Sequence, residues 1–293
     1  MPLNTAAVGL QTEPMVHEVD ARWTMAYSAA LGDTQACYLD TTRETGVVAH
    51  PLFTICPEWP VMLEARDMLI DDGLTPPESR RGVHAGHDMC VHRLVRPGDR
   101  LYTHATIVSL EARSAGAFMV TRLDTSDELG DPVATTYSGA LYRNVDVVGP
   151  AQDAVQHLPG SPGRIPSDAA PARRTRVPIF ENAAHVYTEC ARIWNPIHTD
   201  AQVAKDAGLP AIILHGSATL ALAVSQVVDV EAEGDPARVR RLGGSFRGMV
   251  LMPSDIEVCV YSPYKSDEGT MVRFQVLNLD GRPAIADGMI VLD

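Results

Sequence analysis

The chain has 293 residues, of which 45% are hydrophobic and 21% charged, and its formal net charge is −13. This length and balance predict a soluble globular protein with one large or two ordinary domains. The acidic excess argues against a nucleic-acid surface and against a polybasic membrane contact. Five scattered cysteines without a Cys-x-x-Cys pair predict reduced thiols in a cytoplasmic protein. No basic segment followed by an apolar stretch opens the chain, so no signal peptide is predicted.

The first half begins with residues 1–13, whose small and polar side chains predict a loose arm. A helical segment is expected within Trp23–Asp40, with a Gly-Asp break. A long apolar helix is expected after Pro60, because proline is favourable in the first turn of a helix. Residues 73–82 are expected to form a loop, and the alternating patterns that follow predict antiparallel strands.

The second half follows a segment rich in Pro, Ala, Gly and Ser, residues 147–176, which predicts a linker. A short helical segment, a turn at Asn195-Pro196 and a helix capped by Asp200 and Gly208 are expected next. The order of predicted elements then repeats that of the first half, with a long apolar helix followed by strands. We therefore predict two domains, 14–146 and 177–293, that arose by tandem duplication.

The long apolar run that begins near His215 is nearly long enough to cross a membrane. It contains His215 and several Ser and Thr residues, and it lacks basic flanks. We therefore predict that it is a buried central helix, and no membrane partner is expected.

Three pieces of the second half lie in a fixed order: NPIHTD at Asn195–Asp200, the pair Ala207-Gly208, and LHG at Leu214–Gly216. This pattern resembles the MaoC-like, or hydratase-2, branch of the hot-dog superfamily. The resemblance implies an α+β fold, a tandem double hot-dog in which each half wraps an antiparallel sheet round a long central helix. It also implies reversible addition of water to a 2-enoyl-CoA thioester, without cofactor or metal.

In that family an Asp and a His share one water, and a backbone N–H polarises the thioester carbonyl. By position, His198 matches the catalytic His, Asn195 the neighbouring Asn, and Gly216 the region of the N–H donor. Where the family has Gly-Asp, this chain has Arg192-Ile193. The carboxylate position therefore holds Ile193, which can neither orient nor deprotonate water.

The first half reads YSAALGDTQACY over Tyr27–Tyr38, so Asp33 resembles the missing carboxylate, but Tyr38 stands where the His would fall. Asp33 is either a catalytic group of a site shared between the halves or a turn or cap residue. Tyr187 is either a hydrogen-bond donor to the substrate or a half-buried aromatic residue. The residues predicted to contact substrate are Tyr187, His215, Ser217 and Ile193.

Three histidines, His84, His87 and His92, have a spacing that would suit zinc on a helix. They lie where a strand is expected, which scatters the side chains over two faces, so no metal site is predicted.

The predicted function is an acyl-CoA hydro-lyase. The alternatives are an accessory acyl-CoA-binding protein paired with a catalytic chain, and a thioesterase, because one fold hosts many chemistries. An acyl-CoA thioester, a second copy of the chain in a homodimer or larger homo-oligomer, and a partner subunit are the expected partners.

Overall fold

The computed structural model describes residues 2–71, 73–153 and 163–293. The α-helices in these ranges are, in chain order, α1 Ala21–Ala30, α2 Ala36–Leu39, α3 Ile55–Asp71, α4 Pro76–Ser79, α5 Ala183–Ala191, α6 Ala201–Asp206 and α7 Gly216–Glu231. The strands of the first half are β1 Leu3–Asn4, β2 Met15–Glu18, β3 Gly82–Val91, β4 Arg100–Arg113, β5 Gly116–Ser126, β6 Pro132–Arg143, β7 Val147–Val148 and β8 Gln152–Asp153. Those of the second half are β9 Arg173–Ile179, β10 Val239–Phe246, β11 Ser254–Val260, β12 Tyr264–Ser266, β13 Gly269–Leu277 and β14 Pro283–Leu292.

The chain divides into two compact units, and each is built from several segments. The first unit comprises Met1–His17, Pro57–Cys90 and Arg100–Ser161. Its strand order is β2-β4-β5-β6-β3, with β4, β5 and β6 paired antiparallel. Helix α3 packs Val61 and Ala65 against Ala105 and Leu123 of the sheet. This unit therefore has the elements of a hot-dog domain, a sheet with one long helix packed against it.

The second unit comprises Glu18–Cys56, Val91–Asp99 and Pro162–Asp293. Its strand order is β10-β14-β13-β11-β9, all antiparallel, and β12 pairs with β13. Helix α7 contacts β10, β11, β13 and β14. Most of its side chains are buried, as expected for a central helix. Helices α1 and α5 pack against each other in the same unit.

Local chemistry explains several of these elements. The Asp20 carboxylate accepts the Trp23 N–H at 2.7 Å and starts α1. The predicted cap of α6 is confirmed, since the Asp200 carboxylate accepts from Gln202 N–H and Val203 N–H. Gly208 follows this helix with a φ of +77°, as a residue that ends a helix does. Strands β13 and β14 form an antiparallel hairpin.

Three expectations from the sequence are wrong. Residues 1–13 are not a loose arm, because β1 pairs with β7 and the Leu3 side chain is buried in the core of the first unit. The long helix does not begin after Pro60 but at Ile55, and Pro60 lies inside it. Pro60 lies in the second turn of this helix, where it supplies no N–H, and Ile55 and Cys56 in the first turn are buried.

The third concerns residues 73–82, which contain α4. A reciprocal capping box between Thr75 and Glu78 stabilises this helix.

The segment expected as a linker, residues 147–176, contains β7, β8 and the beginning of β9. Residues 154–162 lie outside the described part of the chain. The domain boundaries 14–146 and 177–293 remain a prediction. Within the described residues, none of the helices combines the length and the apolar character that a membrane crossing requires.

Candidate active site

His198 lies on a single 3₁₀ turn, Pro196–His198, which follows α5. Its Nδ1–H donates to the Ile213 carbonyl oxygen at 2.8 Å. Its pKa is lowered to about 4, mainly by burial, although the Ile213 carbonyl opposes the shift. The ring is therefore neutral at pH 7, and its Nε2 carries a lone pair that can accept a proton.

Asn195 begins this turn. Its side-chain oxygen lies 3.5 Å from the Ile197 N–H, and its carbonyl accepts the His198 N–H at 3.1 Å. The residue therefore shapes the backbone that presents His198, as a turn-forming Asn does.

His215 stacks on His198, with ring centroids 3.7 Å apart and planes 26° apart. Its Nε2 lies 3.2 Å from the Thr188 hydroxyl oxygen. Burial, together with the neighbouring His198, lowers the pKa of His215 to about 2, and the Ile193 carbonyl opposes the shift. Both rings are therefore neutral, so the stacked pair carries no repulsion at physiological pH.

Gly216 is the first residue of α7. The N–H groups of a first helical turn have no partner within the helix and lie at its positive end, which suits a developing oxyanion. A Cβ at this position would lie 3.0 Å from the Phe246 ring, so a side chain here would crowd that ring. The Gly216 N–H, which is the predicted donor, therefore lies in the first turn of α7, directly after His215.

Tyr187 is fully buried rather than half-buried. Its hydroxyl lies 3.4 Å from that of Tyr27, and its ring lies 5.0 Å from that of His215. The Ser217 side chain also forms a hydrogen bond with it. Tyr187 and Ser217 thus belong to the buried surroundings of the histidine pair.

Ile193 is buried, and its N–H donates to the Thr188 carbonyl at 3.2 Å. Arg192 before it has a φ of 58°, a region that glycine favours. Its guanidinium lies 4.0 Å from the Trp23 ring centroid, a cation–π contact. The position of the family carboxylate is therefore apolar and enclosed.

The first half repeats this turn with different side chains. The Asp33 N–H donates to the Ser28 carbonyl at 3.0 Å, as Ile193 does to Thr188, and Gly32 has a φ of +77° where Arg192 has 58°. By backbone geometry Asp33 is the counterpart of Ile193. Asp33 is not only a turn residue, because its side chain is largely buried and hydrogen-bonded.

The Asp33 carboxyl accepts a hydrogen bond from the Ser225 hydroxyl at 2.9 Å, and that hydroxyl lies 3.3 Å from His50 Nε2. The pKa of Asp33 is raised to about 7 by burial; Ser225 opposes the shift and Asp229 adds to it. Asp33 and His198 thus have different hydrogen-bond partners. Whether they act as a pair remains a prediction.

Sequence reasoning missed His50, Ser225 and Thr188. His50 had a weak signal, because it lies five residues before α3, while His215 lies directly before α7. Ser225 had none, because it meets Asp33 across 192 residues of chain.

A cavity of about 440 Å³ lies in the second unit, in the size range of ligand pockets. Its walls come from the end of α1, from β9, from α5 and from one face of α7. Tyr187 and Leu214 line it next to the histidine pair, and Gly32 and Gln226 line it next to Asp33 and Ser225.

His84 and His87 lie in the first unit on β3, with ring centroids 5.6 Å apart. Across residues 2–71, 73–153 and 163–293, no three His, Cys, Asp or Glu side chains are placed to hold one metal ion.

Residues 165–277 match the model of the family described as "MaoC like domain". The second half of the chain carries a MaoC-like domain. Residues 6–136 match a second model, described as "FAS1-like, dehydratase domain region". The residues that match the MaoC-like model include His198, Gly216 and Ile193.

Two curated proteins illustrate the relationship. A "Probable enoyl-CoA hydratase 2" of Dictyostelium discoideum is 24% identical over 192 residues, 65% of this chain and 63% of that protein. This chain therefore spans less than two thirds of that relative. A "3-hydroxyacyl-thioester dehydratase Y" of Mycobacterium tuberculosis is 24% identical over 303 aligned positions, which cover 100% of this chain and 97% of that protein.

Several solved structures share the fold of this chain. A MaoC-like dehydratase from Phytophthora capsici superposes with a TM-score of 0.83 at 20% identity, covering 97% of this chain and 95% of the other. A Mycobacterium tuberculosis protein described as having a double hot-dog fold gives a TM-score of 0.62 at 16% identity, covering 97% and 95%. These likenesses confirm the predicted tandem double hot-dog, an α+β fold.

Proposed function

We propose that the chain adds water reversibly to a 2-enoyl-CoA thioester, with His198 as general acid and base. The observation that carries this proposal is the state of His198. The ring is buried and neutral, its Nδ1–H is fixed on the Ile213 carbonyl, and it lies against His215 at the start of α7. A histidine in this state can take a proton and return it without a large change of geometry.

In the hydration direction, His198 Nε2 takes a proton from water as the water oxygen forms a bond to C3. The C2=C3 electrons move toward the thioester oxygen, and the Gly216 N–H stabilises the resulting enolate charge. The imidazolium of His198 then gives its proton to C2, which restores the neutral ring. The reverse sequence removes water from a 3-hydroxyacyl thioester.

The apolar side chain of Ile193 limits this reaction. The family places a carboxylate at that position to orient the water, and loss of one acid–base partner typically lowers a rate about 10²–10⁴-fold. The same observation favours the second candidate function, a binding protein for acyl-CoA that does not turn it over. We also propose that the chain acts in the cytoplasm as a homo-oligomer or with a partner subunit.

The test is an assay for water addition to crotonyl-CoA and trans-2-decenoyl-CoA by absorbance and mass spectrometry. Wild type is compared with His198→Gln and with the matched control His185→Gln, which changes an exposed histidine in α5. A gain of one water that disappears in His198→Gln and persists in the control supports the hydratase. Binding without conversion would support the accessory role, and release of free CoA would support the thioesterase.

A further inference from the structure

His215 carries a buried polar atom that the reaction proposed above does not use. The residue is only 2% exposed, and within the part of the chain that the structure describes its Nδ1 has no hydrogen-bond partner. The Ile193 carbonyl acts on the charge of this ring but forms no hydrogen bond with Nδ1. Buried polar side-chain atoms are nearly always paired, so one that is not indicates a group kept for a ligand or for the reaction.

The hydrogen on this ring lies on Nδ1. The other ring nitrogen, Nε2, lies 3.2 Å from the Thr188 hydroxyl oxygen, and among the described residues this is the one hydrogen bond of that hydroxyl. Thr188 is buried, so its hydroxyl hydrogen needs an acceptor, and Nε2 is the acceptor within reach. A neutral imidazole has a single N–H, which is then on Nδ1.

The ring of His215 stays neutral while a proton moves on and off His198. Burial, together with the neighbouring His198, holds the pKa of His215 near 2. A neutral imidazole N–H donates a hydrogen bond without giving up its proton at pH 7. This state suits the polarisation of a carbonyl group rather than acid–base catalysis.

The neighbours of His215 place its Nδ1 in the proposed reaction site. The ring stacks on that of His198, with centroids 3.7 Å apart. His215 directly precedes Gly216 at the start of α7, and consecutive Cα atoms are about 3.8 Å apart. Of the two ring nitrogens Nδ1 is the nearer to the main chain, while Nε2 faces Thr188. The Nδ1–H and the Gly216 N–H are therefore two donors close together beside the proposed base.

We propose that His215 is a second catalytic residue, whose Nδ1–H donates a hydrogen bond to the thioester carbonyl oxygen beside the Gly216 N–H. The identity of the ligand as a thioester rests on the proposed function. Negative charge grows on this oxygen as the C2=C3 electrons shift, and two fixed donors stabilise it more than one does. The charge leaves the oxygen when C2 takes its proton from His198, so no proton leaves His215. Thr188 is a positioning residue that keeps the ring hydrogen on Nδ1.

Two amide substitutions separate the roles of the two ring nitrogens. An Asn side chain places its amide group near the position of Nδ1, and the longer Gln side chain places its amide group near that of Nε2. Both substitutions remove the ring that stacks on His198. A purely structural role therefore predicts the same effect for His215→Asn and His215→Gln, whereas donation from Nδ1 predicts different effects.

The first measurement is infrared spectroscopy of bound butyryl-CoA, isotope-labelled at its carbonyl carbon. This thioester has no double bond to hydrate, so the result is independent of turnover. A hydrogen bond to a carbonyl oxygen lowers the stretching frequency of the C=O bond. We expect a lower frequency in wild type and His215→Asn than in His215→Gln. Thr188→Val leaves the ring hydrogen unfixed and should give an intermediate frequency; a value equal to that of wild type would contradict the assigned ring hydrogen.

The second measurement is kcat and KM for crotonyl-CoA hydration, at a temperature where urea unfolding shows all variants to be folded. Removal of one donor to an oxyanion typically lowers kcat about 10²–10³-fold. We expect a fall of this size in His215→Gln with little change in KM, because the bond strengthens in the transition state. His215→Asn should recover most of the lost rate. Equal frequencies and equal rates for the two variants would overturn the inference.

The outcome is separable from that of the proposed function. Failure of wild type to hydrate any 2-enoyl-CoA, with the frequency difference present, would refute the hydratase and support the donor. Hydration that requires His198, with no difference between His215→Asn and His215→Gln in frequency or rate, would refute only the donor.

Discussion

Ile193→Asp is the substitution that tests the proposed chemistry most directly. It places a carboxyl group where the MaoC-like family has one, in the turn that ends α5. The backbone accepts an aspartate there, because the repeated turn of the first half holds Asp33 with the same N–H to carbonyl bond. The new carboxyl would lie five positions before His198, as in the family.

Two opposing effects set the magnitude. Loss of a buried Ile side chain costs about 2–5 kcal/mol of unfolding free energy, and burial of a carboxyl adds to the loss. The rate should rise, because a restored acid–base partner is worth about 10²–10⁴-fold. Burial should raise the pKa of the new group, as it raises that of Asp33, so the gain should be larger at pH 8 than at pH 6.

The assay is the initial rate of crotonyl-CoA hydration by Ile193→Asp, Ile193→Asn and wild type, at a temperature where urea unfolding shows all three to be folded. Ile193→Asn has nearly the same size and no carboxylate, so it should show the loss of stability without the gain in rate. A folded Ile193→Asp that is no faster than Ile193→Asn would refute the assignment of this position as the missing carboxylate.

Three further outcomes are expected. His50, His198 and His215 all have lowered pKa values in the folded state, so the unfolding free energy should fall as the pH drops from about 6.5 toward 4. The expected fall is up to about 1.4 kcal/mol per pH unit for each histidine, and urea titrations between pH 6.5 and pH 4 measure the unfolding free energy. Burial raises the pKa of Glu58 from its ordinary 4.5 to about 8, so wild type loses stability as the pH rises from about 4.5 to about 8. Glu58→Gln should therefore be the more stable protein at pH 9 in urea melts, with a difference that shrinks as the pH falls toward 4.5. Asp200→Ala removes the cap of α6 and should lower the unfolding free energy by about 0.5–2 kcal/mol in urea melts; no change would show that the cap is dispensable.

The features predicted well from the sequence are those that short segments determine. The turn at Asn195-Pro196 and the cap at Asp200 depend on neighbouring residues, and both form as expected. The long apolar run forms α7, as predicted, because most of its residues are buried.

The features that were missed depend on residues far apart in the chain. Leu3 is held by a strand pair with Val147, and Ser225 meets Asp33 from another helix. Residues 18–56 group with the second half of the chain rather than with the first. Composition carries no sign of such pairings, because they are set by tertiary packing.

The repeated turn after α1 and α5 has a consequence for exchanging side chains between the two halves. Glycine and arginine both occupy its left-handed position, and aspartate and isoleucine both follow, while the backbone hydrogen bond persists. The shape of the turn is thus insensitive to its side chains, since it forms with an aspartate in one half and an isoleucine in the other. Exchange of residues 32–33 with 192–193 would therefore move the carboxyl group from one end of α7 to the other within an unchanged scaffold.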